Sequence, residues 1–179
     1  EGDGHVLDRA DLGGGGAPPA VYVVNKTSLV VTLVVSGAPL VTPIDIALNK
    51  FGLPYVLDRD AGGGSIFEVP AMTVISTGQN FVRPHGIAID QGAPFFPANE
   101  PGGIRVTDLT ADVAVLVDVN LPNNANQTVE SVGQNFSFPA GITIGAWPAF
   151  PTPFYVADFG TRAVIEYDPT LLATGNQTV

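Results

Sequence analysis

Apolar residues run along this chain in short alternating bursts, broken by glycine, proline, asparagine and aspartate. Aligning three prolines exposes the pattern in LVTPIDIALN (Pro43), VRPHGIAIDQ (Pro84) and SFPAGITIGA (Pro139). Three and five residues after each stands an aliphatic pair, Ile46 and Leu48, Ile87 and Ile89, Ile142 and Ile144, with Ala47, Ala88 and Thr143 between. That period of two predicts strands with one strongly apolar face. Six residues before each proline lies a glycine, Gly37, Gly78 or Gly133, suited to a sharp turn of positive φ. The longest echo sets STGQNFVRPHGIAID (76–90) against SVGQNFSFPAGITI (131–144).

A second signature follows each strand. HVLDR (Asp8), YVLDR (Asp58) and YVADF (Asp158) run aliphatic and end in aspartate, and each leads into a glycine-containing turn. A third strand comes next, in AVYVV, SIFEV and AVIEYD, and a fourth in LVVTLVVSG, AMTVISTG and TVESVG. Four short strands recurring at intervals of 41 to 55 residues predict an all-β fold of four-stranded antiparallel blades, a β-propeller or a segment of one. The blades are expected at about 1–37, 38–78, 79–133 and 134–179, the first entering at its second strand and the last stopping as its fourth begins. Three explanations of that count stay open: part of a longer chain, a partial ring closing or stacking on another copy, or a four-bladed ring with a shared blade. The third repeat is expected to break the pattern, with PFFPAN (94–99) in place of the aspartate strand and an excursion over DLTADVAVLVDVNLPNNA.

The motifs PHGIAID (84–90) and FYVADFGTRAVIEYD (154–168), down to Arg162 after the aspartate, resemble the NHL repeat family of propellers. Asp45 departs from that pattern, standing where the family has glycine. The resemblance implies a central channel faced by the position after each repeat proline, here Ile44, His85 and Ala140. It also raises enzyme chemistry, since a similar propeller, the amidating lyase of peptide processing, holds zinc with histidines from several blades. Similar propeller lactonases hold calcium with carboxylates and asparagines.

Catalytic zinc takes about three protein ligands, and this chain has only His5 and His85. His85 is therefore expected to pack at the channel mouth and hydrogen-bond a neighbouring blade, with ligand binding as the sharper alternative. Asp8, Asp58 and Asp158 recur at equivalent places, which favours capping of turn amides over a cation site. GGGG at 13–16 lacks the Gly-Lys-Ser/Thr ending of a phosphate loop and reads as a hairpin turn.

Composition narrows the function classes. Seven basic against 17 acidic residues, a net charge of −10, argue against nucleic acid and anionic membrane as partners. The absence of cysteine excludes disulfides, Cys-ligated metal and a thiol nucleophile. No apolar stretch approaches the length of a spanning helix. Sequons at Asn25, Asn126, Asn135 and Asn176 are candidates for N-glycosylation and favour a secreted or cell-surface protein. The leading expectation is thus a non-catalytic extracellular propeller without a cofactor, binding a protein or its own copies as a scaffold or a subunit of a surface assembly or filament. The alternative is a metal-dependent lyase or lactonase that binds a divalent ion near His85, with its remaining ligands in blades outside this sequence.

Overall fold

The computed structural model describes residues 4–8, 17–90, 103–145 and 153–179. Its strands fold into four separate antiparallel sheets in chain order. The first is three-stranded, β1 (Gly4–Asp8), β2 (Ala20–Val24) and β3 (Val31–Ser36). The second runs β4 (Pro43–Leu48), β5 (Pro54–Asp58), β6 (Ser65–Glu68) and β7 (Thr73–Thr77). The third runs β8 (Pro84–Ile89), β9 (Ile104–Asp108), β10 (Val113–Val117) and β11 (Gln127–Val132). The fourth runs β12 (Pro139–Ile144), β13 (Phe154–Asp158), β14 (Ala163–Tyr167) and the two-residue β15 (Gln177–Thr178). Each sheet is a meander in which neighbours in sequence are neighbours in space, the construction of a propeller blade.

The turns follow from their residues. Gly37, Gly78 and Gly133 hold φ of 77°, 58° and 58° between one sheet and the next, and Gln79 and Gln134 continue the left-handed turn at 59° and 54°. After Asp58, AGGGS makes a 3-10 turn at Ala61–Gly63 with Gly62, Gly63 and Gly64 all at positive φ. Its counterpart at 13–16 lies outside the described residues.

The third repeat corrects the sequence reading. Its aspartate strand is IRVTD (Ile104–Asp108), not PFFPAN, which lies outside the described residues. The segment read as an excursion supplies the regular strand VAVLV. Most of the extra length falls between β8 and β9 and the rest between β10 and β11, so Asp108 takes the place that Asp58 and Asp158 hold in their sheets, and the third sheet keeps four strands.

Packing occurs at the seams between sheets. Val21, Leu40, Val56, Phe67 and Val69 bury together at the first seam. Tyr55, Leu57 and Ile66 meet Ile87, Ile89, Ile104, Val106 and Val115 at the second. The third joins Ala114 to Phe136, Phe154, Val156, Ile165 and Tyr167. Alternation along a strand thus serves two seams at once: Leu57 faces the second and Val56 the first. Burying residues of this size is worth about 1.5–3 kcal/mol each and dominates the stability.

Polar groups also enter the third seam. Arg105 lies 4.5 Å over the Phe154 ring and donates to both carboxylate oxygens of Glu130 at 3.2 Å. The Tyr167 hydroxyl donates to Glu130 as well, and burial first, then that carboxylate, pushes the phenol well above its usual range. The buried arginine is therefore paired and hydrogen-bonded, the condition under which a buried charge is tolerated.

Candidate functional site at the blade mouth

Each inner strand opens with a β-bulge, where pairing slips between Pro43 and Asp45, Pro84 and Gly86, and Pro139 and Gly141. The unpaired extra residue is Ile44, His85 or Ala140. A bulge bends its strand and re-aims the side chain, so the fold itself singles out these three positions.

They do not form one site. Ile44 packs against the apolar cluster of the second seam. His85 and Ala140 instead line a shared pocket of about 440 Å³ with Leu109, Phe138 and Phe159. Leu109 and Phe159 directly follow the aspartates closing β9 and β13, and Phe138 precedes the inner-strand proline Pro139. Paired backbones hold these loops: the Leu109 amide donates to the Arg83 carbonyl, and the Phe159 amide to the Phe138 carbonyl. Phe159 is 81% exposed and Phe138 49%.

His85 is half-buried, and its imidazole makes no side-chain hydrogen bond among the described residues, contrary to the bond to a neighbouring blade expected from sequence. The inter-blade bonding runs beside it: Gly86 donates its amide to the Thr107 hydroxyl, which donates at 2.7 Å to the Ala140 carbonyl. Asp45, in the glycine position of its own repeat, accepts from the Ile87 amide at 2.9 Å and joins the second and third sheets. His5 lies on β1, and no group of three His, Asp or Glu side chains able to hold a metal converges among the described residues.

The aspartates lie under the mouth loops. Asp58 accepts from the amides of Val41, Thr42, Asp60 and Ala61. Asp108, missed in the sequence because its strand was misplaced, accepts from Val82, Arg83, Thr110 and Ala111. Asp158 accepts from Ser137, Phe138 and Thr161. Burial works to raise the Asp158 carboxyl, but these amides and the Thr161 hydroxyl outweigh it, and the group sits below its ordinary range. Each carboxylate ties the turn before an inner strand to the turn after its neighbour and so fixes the loops carrying Leu109, Phe138 and Phe159. Asp8, at the end of β1, is exposed.

Among the sequons, Asn126 and Asn176 are 2% and 4% exposed, and their amide nitrogens donate at 2.7 Å to the carbonyls of Ile75 and Glu130. Both nitrogens are thus hydrogen-bonded inside a seam in the folded chain. Asn25 caps a hairpin turn, its Oδ1 accepting from the Thr27 and Ser28 amides. Asn135 is partly exposed, and its backbone amide donates to Gln177.

No protein-family model matches the chain, and no curated protein is similar in sequence. Solved structures are similar in fold. One, from a nidogen/laminin complex, matches with a TM-score of 0.66 at 19% identity, over 89% of this chain and 55% of that one. A luciferin-regenerating enzyme matches at 0.56 and 13%, over 94% and 52%. A protein from Lactobacillus plantarum matches at 0.56 and 15%, over 99% and 53%. The chain thus spans little more than half the length of each. Together with the successive meander sheets, these likenesses establish a β-propeller fold.

Proposed function

We propose that this chain is a non-catalytic binding module of NHL type that works outside the cell and takes a protein partner at the blade mouth. The observation carrying this reading is the pocket of His85, Leu109, Phe138, Ala140 and Phe159. Exposed aromatic rings on loops anchored by buried aspartates form a preorganised apolar contact, and aromatic anchors dominate the energetics of recognition. The nidogen/laminin match supports the reading as a propeller found in a protein complex. A metal-dependent lyase or lactonase would need a donor set, and none gathers around His85 among the described residues.

Self-association is the second reading, favoured by β3. Leu29, Val30, Val31 and Leu33 are 53–73% exposed on and beside this edge strand, which carries no charge to block pairing.

The test is capture of partners from the protein's native extracellular milieu by the wild-type chain and by a Phe138→Ser, Phe159→Ser double variant. A partner retained by the wild type and lost by an equally stable variant supports the mouth as the site. Equal retention by both overturns it. Light scattering of the wild type and Leu33→Lys reads the second reading separately, through a dimer that the lysine dissolves.

A further inference from the structure

The side chains that fill the three seams recur on two faces with no described sheet over them, and those faces are complementary. Each sheet turns one face, its trailing face, toward the sheet that follows. There the second sheet buries Leu57 and Ile66, and the third buries Thr107 and Ala114, all four at 0% exposure. Aligned on Asp58, Asp108 and Asp158, the same register positions of the fourth sheet hold Ala157 and Val164. Ala157 is exposed, and Val164 is 62% exposed. Polar groups repeat as well. In the second sheet Tyr55 stands opposite Glu68 and donates to it at 3.0 Å, and Tyr155 stands opposite Glu166 in the fourth. A hollow of about 300 Å³ marks this open face, lined by Gly141, Ile142, Thr143, Tyr155, Ala157 and Val164.

The first sheet offers the converse, a bare leading face. Val56 and Phe67 fill the first seam from the second sheet, Val106 and Val115 fill the second, and Val156 and Ile165 the third, none more than 2% exposed. Asp8 pairs with Ala20 as Asp58 pairs with Ser65, so the counterparts in the first sheet are Val6 and Tyr22. Val6 is 48% exposed, and Leu33, paired with Tyr22, is 53% exposed.

We infer that the trailing face of the fourth sheet binds the leading face of the first sheet of a second copy. The chain supplies both halves of such a seam. Val6 and Tyr22 bring the aliphatic and aromatic groups that Val56 and Phe67 bring to the first seam, and Ala157 and Val164 receive them as Leu57 and Ile66 receive the third sheet. Burying Val6, Leu33 and Val164 in one contact removes apolar surface from water. Such a contact joins unlike patches, so it is heterologous and builds a ring or an open row according to the rotation between copies. The inference rests on self-association of the chain but replaces pairing at the β3 edge with packing of sheet faces, and it is independent of the mouth.

Sedimentation velocity of the full chain over a concentration series tests this. The wild type is expected to form dimers or larger species as concentration rises. Val6→Lys and Val164→Lys each weaken association about a hundredfold or more, as an uncompensated buried charge does. Both replace exposed side chains, so the monomer fold is spared, and circular dichroism checks it. Ala157→Lys is a second probe of the fourth-sheet face. An equal mixture of Val6→Lys and Val164→Lys copies restores a dimer and nothing larger, because each copy keeps the face that the other has lost. Association that survives Val164→Lys and Ala157→Lys but is lost in Leu33→Lys overturns the inference and leaves the β3 edge. Association lost in both variants and not restored by mixing overturns the head-to-tail order. A wild type that stays monomeric overturns it together with the edge reading, leaves the two faces to sheets of another sequence, and does not touch the mouth.

Discussion

The Ser131 hydroxyl donates to the Asn176 side-chain oxygen at 2.7 Å across the seam between the third and fourth sheets. Ser76 donates to Asn126 at 2.8 Å across the previous seam. Around both contacts the partners recur. Gln127 donates to the Ser76 hydroxyl and accepts from the Asn80 amide, and Gln177 does the same to Ser131 and Asn135. The Ser-x-Gly-Gln-Asn-Phe stretch of one sheet is thus clasped by the Asn-Gln-Thr-Val stretch of the next. Asn176→Ala or Asn126→Ala strands a buried hydroxyl and a strand carbonyl, and each is expected to cost about 2–3 kcal/mol. Denaturant titration checks it, with Asn124→Ala on the exposed turn before Asn126 as a control expected within about 0.5 kcal/mol.

The same clasp predicts which sequons accept sugar. Expressed through a glycosylating secretory pathway, the chain is expected to carry glycan at Asn25, whose turn is exposed, and none at Asn126 or Asn176, whose nitrogens are bonded inside a seam. Peptide mapping by mass spectrometry after deglycosylation reads each position. Occupancy of Asn176 in folded material would contradict the seam.

Gly86 and Gly141 hold equivalent bulge positions and should respond oppositely to alanine. A Cβ on Gly86 runs into the Ala140 carbonyl oxygen and comes within 2.9 Å of the Thr107 hydroxyl. At Gly141 its nearest contact is the Ala157 Cβ at 3.8 Å. Gly86→Ala should cost about 2–3 kcal/mol, as overpacking against backbone does, and Gly141→Ala should be neutral or slightly stabilising. Thermal melts of the two variants side by side decide this. Asp45 keeps the corresponding position in the second sheet, with its side chain bonded to the Ile87 amide.

That contrast shows where the sequence was legible. Proline register, the period of two and the Gly37, Gly78 and Gly133 turns are local signals, and they placed the strands of the regular repeats. Asp108 was missed because residues between β8 and β9 shift IRVTD away from its proline, so spacing pointed to the wrong segment. The mouth was half legible: the post-proline position marked His85 and Ala140. Phe138, Phe159 and Leu109 were not marked, because they join the pocket only through loop pairings between distant stretches. The structural part of the Asn-Gln-Thr repeats was hidden in the sequence, because a clasp and a glycan acceptor share the same three letters.

Asp112 and Asp158 predict opposite responses to acid. Asp112 stands at φ 53° where Arg162 stands at 57° in the next sheet, and its Oδ1 is buried without a hydrogen-bond partner among the described residues. Burial, Asp158 and Asp108 raise its carboxyl above 3.8, so the folded state takes up a proton more readily than the unfolded chain. Its charge destabilises at neutral pH, and the penalty is relieved as pH falls through the raised value. Asparagine tolerates left-handed backbone and carries no charge. Asp112→Asn should therefore be more stable at pH 7 by up to about 1 kcal/mol, the scale of a screened charge interaction, with the advantage shrinking as pH falls toward the raised value. Asp158 is lowered below 3.8, so its contribution is fully present above that value and is lost only as pH falls through its lower folded value. Asp158→Asn should cost about 3 kcal/mol at pH 7, because its bonds are charge-assisted. The deficit should hold down to pH 4 and narrow only below. Urea titrations of the three proteins at pH 7, 5 and 4 separate the two carboxylates by the sign of the difference.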